Sequence, residues 1–256
     1  MDRCQIQGVP VGYRLRRCEQ REELAECVRI QKEIWGYPEH ELYPLRLFVN
    51  LGRIGGHVLG AFTSAGELAG FAAAMPAFHG TRRYLHSLSL GVVRNHENRG
   101  LGRALKLAQR DLALGAGIAT IEWSFDPLRA RNANFNINRL GAIARRYEAD
   151  YYGQVESKFQ QGLPSDRLMA EWQLKSARVK RAIAGKPVRN PVREPQCVIE
   201  IPDEIDTLIR QNFAEAQAWQ QRVRDLFQQS FAAKLVVTGF SRKDNASLYL
   251  LERHEN

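Results

Sequence analysis

Residues 88–105 read Leu-Ser-Leu-Gly-Val-Val-Arg-Asn-His-Glu-Asn-Arg-Gly-Leu-Gly-Arg-Ala-Leu, a β-like run that passes through a polar turn into the start of a helix. Gly100 and Gly102 have no Cβ, so a ligand can approach the main chain closely at this turn. The first N–H groups of a helix lack carbonyl partners, and the helix dipole places partial positive charge at the same end. The stretch therefore predicts a strand, a turn and a helix N-terminus that can bind a diphosphate.

The helix after the turn is supported by its own periodicity. Apolar residues recur at steps of three and four, and residues 115–117 (Gly-Ala-Gly) offer a stop. The turn is not a P-loop, because no Gly-Lys-Ser/Thr follows it, and it lacks the first glycine of a dinucleotide fingerprint. On these residues alone, a phosphate site and a plain tight turn that packs a helix on a sheet both stay open.

The run 90–93 followed by residues 98–105 resembles motif A of the GNAT acetyltransferase superfamily, in which a Q/R-x-x-G-x-G/A turn follows the fourth strand and holds the pyrophosphate of acetyl-CoA. Residues 118–125 resemble the family's fifth strand. Residues 132–141, which end in Leu-Gly, resemble the helix that follows it. Element order extends the resemblance more weakly over residues 13–172. The resemblance implies an α/β fold in which helices cover a mixed central β-sheet.

The same resemblance implies acetyl-CoA, or another acyl-CoA, as co-substrate, and it requires no metal. The turn would bind the pyrophosphate, and main-chain groups of the fourth strand would bind the pantetheine arm and polarise the thioester carbonyl. Basic and polar residues after the fifth strand would complement the phosphates. The cofactor-binding candidates are Leu90, Val92, Asn98, Arg99, Gly100, Leu101, Gly102, Arg103, Ala104, Asn132 and Arg139.

Two departures from the family pattern concern the turn. Glu97 stands where motif A has Gln or Arg, and Asn98 stands where it has its first glycine. A carboxylate beside a diphosphate repels it unless it points away or pairs with a cation such as Arg94 or Arg99. We therefore expect the cradle to depend on backbone donors.

A third departure concerns the acid that protonates the departing thiolate. The tyrosine that many family members use falls on Ile137, which cannot donate a proton. Tyr147, Tyr151 and Tyr152 are candidates to replace it from the next predicted strand, residues 147–155.

An acceptor amine must be neutral to attack the thioester, so a base or a chain of waters is needed. His86 and Glu122 lie on the two strands expected to flank the site, and Asp126 follows the second of them. His86 would share a strand face with Leu88 and Leu90. Each candidate has a structural alternative: a lone histidine is often structural, and Asp126 before Pro127 can initiate a turn. Burial of Glu122 would raise the pKa of its carboxyl.

The composition is typical of a globular enzyme, but it does not indicate which reaction the enzyme catalyses. The 256 residues, 44% hydrophobic and 25% charged, suffice for one elaborated domain or two. No run is apolar enough to span a membrane, and the polar N-terminus does not resemble a signal peptide, which predicts a cytoplasmic protein. The four cysteines lack metal-ligand spacing, so buried or idle thiols are expected.

The net charge of +9 raises nucleic acid as a partner, but charge alone supplies only the electrostatic part of such binding. The basic residues are spread along the chain without an aromatic-basic motif. We therefore expect neither nucleic acid nor a membrane as partner.

Three segments are predicted. A GNAT-like acyl-CoA-binding domain covers residues 1–175, a basic, proline-containing linker covers 176–196, and a C-terminal β-α-β-β unit covers 197–256. Within that unit, residues 205–231 keep one apolar face of a single long helix. The unit is small, so we expect it to pack on the first domain. Three roles stay open: it lines the acceptor pocket, it supports the structure, or it forms the interface of a homodimer.

These observations favour a CoA-dependent N-acyltransferase, in which an unidentified amine acceptor attacks the thioester of acyl-CoA directly. The alternative is a non-catalytic acyl-CoA-binding sensor or scaffold on the same fold, which Glu97 and the absent tyrosine keep open. That alternative predicts CoA binding without turnover.

Overall fold

The computed structural model describes residues 8–189, 194–243 and 246–253. The chain forms two compact units: unit 1 comprises residues 1–121 and 156–158, and unit 2 comprises residues 122–155 and 159–256. The units divide within the fifth strand rather than near residues 175 and 197. The three-segment organisation stays a prediction.

Unit 1 contains four strands in the order β1-β2-β3-β4, and all three pairings are antiparallel. Two helices follow the first strand, and the next two strands form a hairpin. Its elements are β1 (Tyr13–Arg17), α1 (Arg21–Trp35), α2 (Leu45–Arg53), β2 (His57–Thr63), β3 (Leu68–His79), β4 (Arg82–Val92) and α3 (Leu101–Gly115).

Side chains on the strands of unit 1 alternate between two apolar layers, as a period of two requires. One layer joins the sheet to α1 and α2, with Val58, Phe71, Ile30 and Phe48 among its buried members. The other joins the sheet to α3 through Leu15, Leu59, Ala61, Ala72, Leu101, Ala104, Leu105 and Ala108. The predicted apolar stripe of α3 is thus the face that fixes this helix on the sheet.

A group of polar side chains is buried in the α3 layer. Ser87 Oγ donates to Gln109 Oε1 at 3.1 Å and accepts from Lys106 Nζ at 2.9 Å. His57 is 2% exposed, and its Nε2 atom is buried without a hydrogen-bond partner among the described residues. Burial, together with the charges of Arg17 and Lys106, lowers the pKa of His57 to about 4.

We expect His57→Leu to make the protein more resistant to acid. Unfolded histidine has a pKa of about 6.5, so the stability associated with the neutral imidazole is complete above that pH and is lost as the pH falls towards 4. The shift corresponds to about 3 kcal/mol. Urea unfolding of both proteins between pH 7 and pH 4 measures the difference, and parallel stability curves would contradict the assignment.

Unit 2 contains six strands in the order β5-β7-β6-β9-β10-β8, and the described pairings of β6 with β7 and β9, and of β10 with β9 and β8, are antiparallel. Its elements are β5 (Thr120–Phe125, which begins before the division), α4 (Ala130–Asn134), β6 (Ile143–Glu148), β7 (Arg167–Gln173), α5 (Ala177–Ile183), β8 (Cys197–Ile201), α6 (Ile205–Gln211), α7 (Phe213–Ala232), β9 (Leu235–Lys243) and β10 (Ala246–Arg253).

Three element predictions in unit 2 need correction. The long C-terminal helix is two helices, because Asn212 leaves helical geometry and its side chain accepts from Glu215 N to cap α7. The helix predicted at 132–141 is the short α4 followed by a π-helical turn, Phe135–Arg139. The strand predicted at 147–155 ends at Glu148, because Asp150 takes a left-handed conformation with φ 46°.

The cysteines in the described part of the chain are free thiols. Cys18 and Cys27 are buried with their Sγ atoms 3.9 Å apart, and Cys197 is half-buried. Cys4 lies outside the described residues.

Candidate active site

The turn between β4 and α3 contains two left-handed residues. A single 3₁₀ turn, Arg94–His96, follows β4; Asn98 then has φ 60° and Gly100 has φ 83°. Asparagine tolerates this region better than most residues, which explains how a residue other than glycine takes this conformation at position 98. Gly100 is the N-cap of α3 and, lacking a side chain, leaves the first turn of the helix without a side-chain cap.

The start of α3 is exposed at Gly100 and half-buried at Gly102. The first hydrogen bond of the helix runs from Ala104 N to Gly100 O at 3.0 Å, so the N–H groups of Leu101 and Gly102 precede the helical ladder. A Cβ built on Gly102 would meet only Leu90 Cδ2, at 3.6 Å, within 4 Å. Leu101 and Ala104, unlike Gly100 and Gly102, are each 1% exposed and anchor the helix.

The polar side chains around the turn are mainly exposed. Glu97, Asn98 and Arg99 all face solvent. Arg99 Nη1 donates to the Tyr13 hydroxyl at 3.2 Å, and that hydroxyl lies 2.8 Å from His96 Nδ1. Sequence analysis missed Tyr13 and His96, because no local pattern links residues 83 positions apart.

A β-bulge in β4 corrects the predicted face of His86. The register of β4 against β3 shifts between Ala73 and Ala74, so Leu90 pairs with Ala72 whereas His86 pairs with Met75. Paired residues share a face, and Ala72 and Met75 lie on opposite faces of β3. His86 and Leu90 therefore point to opposite sides of the sheet, whereas Leu88 packs in the same layer as Met75, so the prediction is wrong for Leu90 only. Leu90 and Val92 pack in the α3 layer.

The candidate carboxylates of unit 2 each have a protein partner. Glu122 is 3% exposed, and its Oε2 accepts from Arg146 Nη2 at 3.1 Å. Asp126 accepts from Leu128 N at 2.9 Å and pairs with Arg129 at 3.3 Å, which makes it a turn brace after β5. The sequence had offered the turn as the structural alternative for Asp126 and burial for Glu122, but it gave no sign of the Arg146 partner.

The tyrosines proposed as acids differ in environment. Tyr147 donates to buried Asp166 Oδ2 at 2.6 Å, and burial and this bond raise the pKa of Tyr147 well above its usual value. Tyr151 and Tyr152 lie in the turn after β6 rather than on a strand, and both are nearly half exposed. Burial of part of the ring raises the pKa of Tyr151, and the Tyr152 hydroxyl lies 2.8 Å from Ser124 Oγ on β5.

The remaining candidates lie on α4 and the π-helical turn after it. Ile137 is fully buried and belongs to the core. Asn132 and Arg139 are exposed. Their predicted roles at the phosphates stay predictions.

Metal-binding clusters and membrane-spanning helices are both absent from the described ranges. Within residues 8–189, 194–243 and 246–253, no three His, Cys, Asp or Glu side chains are grouped to hold a metal ion. In the same ranges, every helix is too short or too polar to cross a membrane.

No protein-family model and no curated protein sequence matches this chain, but solved structures match its fold. A ribosomal-protein alanine N-acetyltransferase from Escherichia coli is 15% identical with a TM-score of 0.50, over 64% of this chain and 96% of that chain. YncA from Salmonella typhimurium, a proposed acetyltransferase solved with its cofactor acetyl-CoA, is 18% identical with a TM-score of 0.50, over 64% and 95%. A GNAT-family acetyltransferase from Streptococcus pneumoniae is 14% identical with a TM-score of 0.50, over 62% and 98%.

The chain therefore has the fold of the GNAT acetyltransferases, with helices packed on a largely antiparallel sheet. This confirms the fold class that the resemblance implied.

Proposed function

We propose that this protein is a CoA-dependent N-acyltransferase that transfers an acetyl or other acyl group to an amine. One observation carries the proposal: the turn before α3 combines left-handed Gly100, the unobstructed main chain of Gly102 and an uncapped helix N-terminus. These features fit a diphosphate, and they occur on a fold shared with solved acetyltransferases.

The main chain would do most of the binding. The N–H groups of Leu101 and Gly102 would hold the pyrophosphate, with Arg99, Arg103 and the main chain of Asn98 beside it. Main-chain groups of Leu90 and Val92 would hold the pantetheine arm, and an N–H there would stabilise the oxyanion that forms as the amine attacks. Such a donor is worth a few kcal/mol when it is well placed.

Proton transfer would depend on side chains. Glu122 is our first candidate for the base that accepts the proton of the amine, because it is a buried carboxylate on β5. His86 and Asp126 are weaker candidates, since the bulge in β4 turns His86 to the other face and Asp126 braces a turn. Tyr151 is a better candidate than Tyr147 for the thiolate acid, because the hydroxyl of Tyr147 is already bonded to Asp166.

Acetyl-CoA should raise the unfolding temperature of the purified protein. A ligand present at about a hundred times its dissociation constant stabilises the folded state by roughly 2.7 kcal/mol. Thermal unfolding with and without millimolar acetyl-CoA measures this, and ATP supplies a phosphate-bearing control ligand. No stabilisation, or equal stabilisation by ATP, would contradict a specific acyl-CoA site.

Turnover separates an enzyme from a binding module. Release of free CoA thiol from acetyl-CoA, followed against a panel of small amines and peptides, should show amine-dependent turnover if the proposal is right. Stabilisation by acetyl-CoA without turnover on any amine would favour the alternative, an acyl-CoA sensor or scaffold. Replacement of Glu122 by Gln in the same assay then tests the base.

A further inference from the structure

One hydroxyl group on β1 forms hydrogen bonds with two residues of the turn before α3. Tyr13 on β1 places its hydroxyl 2.8 Å from His96 Nδ1 and accepts from Arg99 Nη1 at 3.2 Å. The rings of Tyr13 and His96 meet edge to face, with centroids 5.7 Å apart and planes at 87°. One phenol therefore contacts both the 3₁₀ turn and the segment that leads into the helix.

Two hydrogen bonds meet at this hydroxyl. Arg99 has only donors, so the Tyr13 oxygen accepts from Arg99. The second bond joins the Tyr13 hydroxyl to His96 Nδ1, and either atom can be its donor, depending on the histidine tautomer. The arrangement orients the Arg99 guanidinium and, within the described part of the chain, uses one of its five N–H groups.

Tyr13 is well placed to fix a turn that has few constraints of its own. Its backbone pairs with Thr63 on β2, and its ring packs in the α3 layer. Pro10, three residues before it, is the one neighbour within 4 Å of a Cβ built on Gly100. The turn residues themselves are exposed and include two left-handed conformations, so ordering them costs conformational entropy when a ligand binds.

We propose that Tyr13 is a positioning residue that holds Arg99 and the turn at residues 94–100 in the geometry that binds the pyrophosphate of acyl-CoA. The inference rests on the proposed function, because it takes that turn as the pyrophosphate site. Without the hydroxyl, Arg99 would be a mobile exposed cation, and the ligand would have to order both the side chain and the turn.

A double-mutant cycle on acetyl-CoA affinity tests this role. Tyr13→Phe keeps the ring and its packing, and we expect it to weaken binding about threefold to tenfold, the range of one hydrogen bond. Arg99→Met should weaken binding at least as much. If Tyr13 acts through Arg99, the double variant should bind no more weakly than Arg99→Met alone. Arg46→Met, which removes an exposed charge from α2, is the control for net charge.

The outcomes distinguish a failure of this inference from a failure of the proposed function on which it rests. Wild-type binding with coupled effects of Tyr13→Phe and Arg99→Met supports both. Wild-type binding that Tyr13→Phe leaves unchanged, or losses that simply add, would overturn the positioning role and leave the proposed function standing. If wild-type protein binds no acetyl-CoA by calorimetry, the proposed function falls and this inference falls with it.

Discussion

Gly102→Glu should abolish acetyl-CoA binding while leaving the ligand-free protein as stable as before or more so. The new side chain would bring a carboxylate to within about 4 Å of the proposed diphosphate, where like charges repel by about 4 kcal/mol at an effective dielectric of 20. We therefore expect an affinity loss of about 100-fold or more by calorimetry. Stability should hold because a Cβ at Gly102 meets only Leu90 Cδ2, at 3.6 Å, and because glutamate is favourable in the first turn of a helix.

Two variants isolate the cause of that loss. Gly102→Gln has nearly the same shape without the charge and should lose less affinity than Gly102→Glu. Gly115→Glu makes the same change at the last residue of α3, where nothing lies within 4 Å of the added Cβ, and should bind normally. Wild-type affinity in Gly102→Glu would show that the turn is not the cradle.

Arg224→Met should lower the free energy of unfolding by about 3 kcal/mol. Arg224 donates to both oxygens of Asp166, at 2.9 Å and 2.8 Å, and the Asp166 side chain is completely buried. Removing one partner of such a pair leaves an uncompensated buried charge, which costs about 3–5 kcal/mol. The lower end applies because Tyr147 and the main chain of Asp150 still donate to Asp166. Urea unfolding measures the loss.

Matched variants on α7 test that explanation. Arg222→Met removes an exposed arginine that stacks on Trp219, with its guanidinium carbon 3.8 Å from the ring centroid, and should cost less than about 1 kcal/mol. Adding Asp166→Asn to Arg224→Met removes the buried charge and should recover part of the loss. If Arg222→Met costs as much as Arg224→Met, the effect does not come from the buried pair.

Much of the fold was predictable because local patterns decide it. The stripe of Leu101, Leu105 and Ala108 predicts both α3 and its buried face, and the structure confirms both. The errors lie where one residue interrupts a pattern: Asn212 divides an otherwise continuous apolar stripe, and Asp150 ends β6. Periodicity averages over a window, so it does not detect a single residue whose side chain offers the backbone another hydrogen bond.

The candidate site also has some features that the sequence predicts and others that it does not. Gly100 and Gly102 were identifiable because a missing Cβ is a property of the sequence itself. The face of His86 relative to Leu90 was predicted wrongly, because a β-bulge adds one residue to β4 and so reverses the alternation on which the prediction depended. The turn at Asp126 rests on contacts two and three residues away and was open to prediction, whereas the partner of Glu122 is Arg146, 24 positions away.

The sequence by itself determined the secondary structure around the turn, the position of its glycines and the resemblance to an acetyltransferase fold, because these depend on residues close together in the chain. Only the tertiary structure decided which hydroxyl orders Arg99, which arginine neutralises Asp166 and which way His86 points. Those contacts join residues up to 86 positions apart, and their free energies depend on burial and distance, which no local pattern encodes.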